Sequence, residues 1–210
     1  MMRLYKFSVF ILCLLPISLL LYKFYFDELG ANPFEALTRQ SGEWTLRFLL
    51  ITLSLTPLKM LLSKSGPLKF RRMLGLYTFF YASIHLLTYV WFDQFFDWTE
   101  IWVDIVKRPF ITIGMLSWFI LLPLAMTSTK GMKKRVGRYW KKLHQAVYLI
   151  GMLVLLHYFM LVKADYWWPV LYSLFFIVLM AFRFQFAQRH RIRVLFFIKR
   201  LFRSGSVTEL

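Results

Sequence analysis

The sequence predicts an all-α integral membrane protein, a six-transmembrane-helix bundle with N- and C-termini both cytoplasmic. Three observations carry that expectation. The 210 residues are 59% hydrophobic, 20% aromatic and only 18% charged, with a mean hydropathy of +0.56. A soluble domain is about 45–50% apolar and about 25% charged, so this chain has too little polar surface to coat a water-soluble body. Six apolar runs are long enough to cross a bilayer, and the basic residues fall in alternate loops. The same composition excludes disorder. A formal charge of +17, from 27 Lys+Arg against 10 Asp+Glu, belongs in a chain this apolar to basic membrane loops, with no nucleic-acid partner. The single cysteine, Cys13, excludes an intramolecular disulfide, a cysteine metal cluster and an iron–sulfur site.

Each span needs roughly 20 mainly apolar residues to cross about 30 Å of hydrocarbon. The first runs over about Phe7–Tyr22. No small-residue cleavage site follows it, and the apolar run continues through Tyr22-Lys23-Phe24-Tyr25-Phe26, so it is read as a retained span and not a signal peptide. The others cover about Thr45–Leu62, Met73–Phe92, Phe110–Thr127, Leu143–Val162 and Val170–Phe186. Lys59 and Arg183, near span ends, are expected to snorkel. The loops Ser63–Arg72 and Ser128–Lys142 and the tail from Ala187 hold most of the basic residues, while nine of the ten acids lie on the opposite side. The positive-inside rule places that basic side in the cytoplasm. Trp98, Trp102, Trp167 and Trp168 suit the outer interface and Trp140 the inner one. The tail segment Ile192–Arg203 mixes apolar and basic residues and suits the inner leaflet surface. No internal repeat is evident.

Ionisable residues inside a membrane are expensive and are functional candidates by default. Of the four histidines, His190 lies in the basic tail and reads as solvated. His85 lies twelve residues after Met73, and His157 fourteen after Leu143. At about 1.5 Å per residue both sit roughly 18–21 Å from the inner surface, at one depth in the outer half of the bilayer. Two imidazoles at one depth on different spans meet the requirement for bis-histidine haem ligation; a proton pathway is the competing reading. His144 sits at the inner end of the fifth span, roughly 20 Å from His157 along the axis and about 140° around it. The third span offers it no partner histidine, since Arg71 stands near the matching depth.

The segments around these histidines resemble a known family. They are Leu55-Thr56-Pro57, Arg71-Arg72-Met73-Leu74-Gly75-Leu76, His85-Leu86-Leu87-Thr88-Tyr89 and Lys107-Arg108-Pro109-Phe110-Ile111-Thr112, followed by Leu124-Ala125-Met126-Thr127-Ser128, Trp140 through Tyr148, and His157-Tyr158. In order and spacing they resemble the haem-binding membrane subunit of the periplasmic methionine sulfoxide reductase system, a minimal relative of the ferric reductase and NADPH oxidase membrane domain. The resemblance implies a single ferric reductase-like transmembrane haem domain over residues 1–210, with 187–210 as a basic cytoplasmic tail. It implies a b-type cytochrome of the bacterial inner membrane that takes electrons from the membrane quinone pool. These pass to a periplasmic molybdopterin reductase that repairs oxidised methionines. Haem b is the implied cofactor. FMN is associated with the family, and a cytosolic flavin reductase is an alternative donor.

By the resemblance, His85 and His157 carry the outer haem and His144 matches the family's third histidine. Arg71 takes the place of the fourth ligand of the larger relatives, whose cytosolic flavin and nicotinamide domain is absent here. Arg71 and Arg72, with the Lys133–Lys142 cluster, make an inner surface suited to a flavin phosphate or haem propionates. Arg108, at an outer helix start beside Lys107, is expected to meet outer haem propionates or Asp104. Two rivals stand beside this reading. One is a membrane cytochrome that reduces ferric or other metal ions directly. The other is a haem-free proton-coupled transporter, against which stand the lack of a repeat, of broken paired helices and of any midplane acid.

Overall fold

A computed structural model describes the backbone of residues 2–62 and 66–204 and the side chains of residues 3–62 and 66–185. Within them the chain is helical with no strand. Its helices are α1 (Met2–Tyr25), α2 (Pro33–Leu62), α3 (Arg71–Thr88), α4 (Trp98–Lys107), α5 (Pro109–Met126), α6 (Lys130–Val136), α7 (Trp140–Leu161) and α8 (Trp167–Ser204). Among the described residues, six stretches are long and apolar enough to cross a membrane. The side chains of His190 and of the Ile192–Arg203 tail lie outside the described residues, as does Lys64 of the first basic loop.

The helices outrun the expected spans for physical reasons. α2 begins at Pro33 and not near Thr45. Its early turns carry Glu35, Arg39, Glu43 and Arg47, which lower any windowed hydropathy yet recur every fourth residue on one stripe. Glu35, Arg39 and Glu43 line an internal cavity, while Arg47 pairs with Glu43 at 2.8 Å and donates to Tyr172 Oη at 3.0 Å. α4, in the loop between the third and fourth spans, is capped by Asp97, whose carboxylate accepts from the amides of Thr99 and Glu100. Pro109 at the first turn of α5 follows the extended Arg108 and starts the next span without needing an amide donor.

The tightest seams are α2 against α3 and α5 against α7. Their apolar interior includes Leu46, Leu49, Leu53, Leu121, Ile150 and Leu155, with Phe176 and Leu179 of α8 closing one side. Large apolar side chains such as Leu12, Phe119, Ile177 and Phe184 point outward; a hydrocarbon surrounding satisfies them where water would not.

Two prolines create openings that side chains from other helices fill. One residue beyond Pro16 of α1, the Tyr81 hydroxyl accepts from the Ile17 amide at 3.1 Å and donates to the Cys13 carbonyl at 2.8 Å. Pro57 of α2 has no N–H, so the Leu53 carbonyl one turn earlier loses its usual donor. Arg183 of α8 supplies one at 2.6 Å and also donates to the Tyr148 hydroxyl. This corrects the expectation that Arg183 snorkels: an acceptor freed inside the bundle turns the guanidinium inward.

Candidate histidine-lined cofactor site

A cavity of about 980 Å³ lies between α2, α3, α5 and α7 and opens toward the acidic end of the bundle, where Glu35, Asp93 and Asp165 border it. His85 and His157 face each other across it, their ring centroids 6.2 Å apart and their planes at 78°. Each imidazole is held from behind. His85 Nδ1 donates to the Thr38 carbonyl at 2.8 Å, and His157 Nδ1 donates to the Phe110 carbonyl at 2.7 Å. Those bonds place the proton on Nδ1, which leaves each Nε2 with a free lone pair. Room for the rings is made by glycine. A Cβ on Gly42 would stand 2.9 Å from His85 Cε1, and one on Gly114 would stand 3.0 Å from His157 Cε1.

The two halves of this cavity repeat in the positions that line it. Each position on α2 recurs on α5 after 72 residues (38 to 110, 42 to 114), as does each position on α3 along α7 (85 to 157). The lining pairs are Thr38/Phe110, Gly42/Gly114, Thr45/Ser117, Leu46/Trp118 and Leu49/Leu121, then Thr78/Ile150, Ala82/Val154, His85/His157, Leu86/Tyr158 and Tyr89/Leu161. Even the side-chain bonds repeat: Thr45 and Ser117 each donate to the carbonyl four residues back. The expectation of no internal repeat is therefore corrected. The repeat resides in the lining positions and in the carbonyl, glycine and histidine contacts, while most lining pairs differ in identity. Both halves run in the same sense, relating them by an axis along the bundle.

The chain's residues fit a haem here. Two metal–nitrogen bonds of about 2 Å plus two ring half-widths of about 1 Å give roughly 6 Å between ring centroids, close to the spacing of this pair. The cavity is at the upper end of the cofactor range of about 300–1,000 Å³. Thr38 also leaves a buried hydroxyl without a hydrogen-bond partner among the described residues, on the cavity wall.

The other predicted residues are distributed differently. Arg108 lines the cavity mouth and pairs with Asp104 at 3.1 Å. Asp104 is buried, and its second oxygen accepts from Gln94 at 2.7 Å and Tyr89 at 3.1 Å. His144 is not on the cavity wall. Its ring packs against Trp140 with centroids 4.1 Å apart and planes tilted by 30°, and its Nε2 lies 3.2 Å from the Thr127 hydroxyl. Arg71 lies within electrostatic reach of His144 and Arg183. Arg72, one residue on, lines a separate cleft beside α1, so the two arginines do not share a site. Sequence reasoning missed Gly42, Gly114, Thr38 and Arg39, which also lines the cavity. The available signal was the shared 43-residue step from glycine to histidine in both halves.

Six membrane-length helices among the described residues, four of them around a paired-imidazole cavity, fit a membrane-embedded cofactor protein, and the comparisons agree with that class. Residues 41–156 match the ferric reductase like transmembrane component family. A protein-methionine-sulfoxide reductase heme-binding subunit MsrQ from Caulobacter vibrioides is 48% identical over 176 residues, covering 83% of this chain and 84% of its own length. A Rhodospirillum rubrum protein of the same name is 48% identical over 190 residues, covering 90% and 91%, and one from Herminiimonas arsenicoxydans is 45% identical over 193 residues, covering 90% and 88%. No solved structure matches the chain. The chain belongs to the ferric reductase like transmembrane family, in the branch of the methionine-sulfoxide reductase heme-binding subunits.

Proposed function

We propose that this chain is a haem b electron-transfer subunit of the bacterial inner membrane. It carries electrons from the quinone pool to a periplasmic molybdopterin methionine sulfoxide reductase that repairs oxidised proteins. The observation that carries this reading is the pair of imidazoles aimed into one cavity from two repeated helix hairpins. His85 and His157 would hold the haem through the free Nε2 lone pairs, and Arg39 and Arg108, which also line the cavity, would neutralise its carboxylates. When bound, haem supplies a one-electron redox couple. The protein's own part is orientation and environment. The carbonyls of Thr38 and Phe110 fix each ring and raise its basicity as a ligand. The apolar walls, from Leu46 and Leu49 to Trp118 and Leu121, would exclude water from a bound haem.

With the basic loops in the cytoplasm, the cavity opens toward the periplasm, where the partner receives electrons. His144 stands outside the ligand pair. At the cytoplasmic end, Arg71 and the Lys133–Lys142 cluster offer an anion-binding surface for FMN, and a cytosolic flavin reductase is the alternative donor on that side. Residues 1–210 act as one transmembrane domain, with 187–210 as its basic tail. The repeat removes one argument against a transporter, but a histidine pair backed by carbonyls and spaced for a metal atom favours the cytochrome.

The test places the purified holoprotein in proteoliposomes with a reduced quinone. The haem absorbance is expected to become reduced. It should reoxidise only when the periplasmic reductase and methionine sulfoxide are both added. Reoxidation by ferric citrate alone would favour the metal-reductase reading, and a haem that quinol leaves oxidised would overturn the proposed donor.

A further inference from the structure

α1 and α3 run side by side in the same direction from the basic end, and the seam between them has a regular step. Tyr81 reaches Cys13 and Ile17, and one turn closer to the basic end Tyr77 donates to the Phe10 carbonyl at 2.9 Å. One turn further in the same direction the step reaches Met73 and Lys6. No tyrosine stands there, and the seam opens into a cleft of about 260 Å³ lined by Lys6, Lys69, Arg72, Met73 and Leu76. Three cations from three elements therefore border one small space. None of them has a carboxylate within 4.0 Å among the described residues. Like charges gathered this closely repel one another unless an anion lies between them. Met73 and Leu76 add an apolar wall to the same cleft.

We propose that this cleft binds the phosphate of an anionic phospholipid, with the acyl chain passing over Met73 and Leu76. A lipid is favoured over a soluble phosphate on three grounds. The cleft lies between two membrane helices, at the end where headgroups sit, and it combines cations with an apolar wall. The inference is independent of the haem reading, and it gives Arg72 a role distinct from that of Arg71. The lipid locks the basic end of α1 onto α3, where the tyrosine steps run out.

The test uses delipidated full-length protein in detergent and counts bound lipid by native mass spectrometry. The probes are dioleoylphosphatidylglycerol, dioleoylphosphatidylcholine, inorganic phosphate and FMN. Wild type is expected to retain the phosphatidylglycerol over the phosphatidylcholine. Each cation removed should weaken retention about fivefold, and Lys6→Gln with Lys69→Gln and Arg72→Gln roughly a hundredfold. Arg72→Lys should stay near wild type, as should a Lys59→Gln and Lys130→Gln control. Helix content by circular dichroism separates loss of the site from loss of fold; if the triple variant fails to fold, the single Arg72→Gln effect decides. Equal retention of the two lipids, or an unaffected folded variant, would overturn the proposal. Displacement of phosphatidylglycerol by equimolar phosphate or FMN would overturn the lipid assignment and leave a soluble phosphate as the ligand.

Discussion

At Gly42 and Gly114 the absence of a side chain gives the two imidazoles their places. An added methyl would come within 2.9 Å and 3.0 Å of ring carbons of His85 and His157, closer than a packed core tolerates. The rings would have to turn, pulling Nδ1 away from the carbonyls of Thr38 and Phe110. Gly42→Ala and Gly114→Ala are each expected to weaken haem retention by about 10–100-fold, the range for losing an orienting bond behind a metal ligand. Haem titration of the apoprotein checks this, with helix content unchanged as the control; undiminished retention in both variants would contradict the packing argument. The histidines were legible from sequence because a membrane makes any ionisable residue conspicuous. These glycines were not, since the chain has nine and only the fold shows which two face an imidazole.

A proline-made opening in α2 links it to α8. The Leu53 carbonyl, left without a helical donor by Pro57, takes its hydrogen bond from Arg183. Arg183→Met is expected to cost about 1–3 kcal/mol in thermal or denaturant stability, because a buried carbonyl is left unpaired. In a Pro57→Ala background the cost should shrink, since an alanine there provides the amide that reaches Leu53 inside α2. A double-mutant cycle measures the difference; equal costs in both backgrounds would show that Arg183 acts elsewhere. The six spans themselves were readable from apolar run length alone. The first turns of α2 were not, because a hydropathy window averages over Glu35, Arg39, Glu43 and Arg47 without seeing that they share one stripe. Reading the four-residue spacing as a polar helix face would have extended the helix to Pro33.

Two helix hairpins, α2–α3 and α5–α7, each bring one carbonyl, one glycine and one histidine to a shared cavity, so the molecule is built as a repeat around that cavity. Sequence comparison of the halves hides this, since Thr38 is matched by Phe110, Leu46 by Trp118 and Ala82 by Val154. A packed wall needs volume and polarity, which many residues supply; a ring-facing gap and a metal ligand admit few. The repeat gives the two histidines matching carbonyl and glycine contacts and sets His144, bonded to Thr127 and packed on Trp140, apart from them. The most direct measurement is the dithionite-reduced minus oxidised spectrum of purified wild type beside His85→Ala, His157→Ala and His144→Ala. A b-type spectrum is expected in wild type, with loss of the six-coordinate low-spin signature in both His85→Ala and His157→Ala and its survival in His144→Ala. A colourless wild type after haem-replete expression, or a low-spin signature intact in either cavity variant, would contradict ligation by this pair.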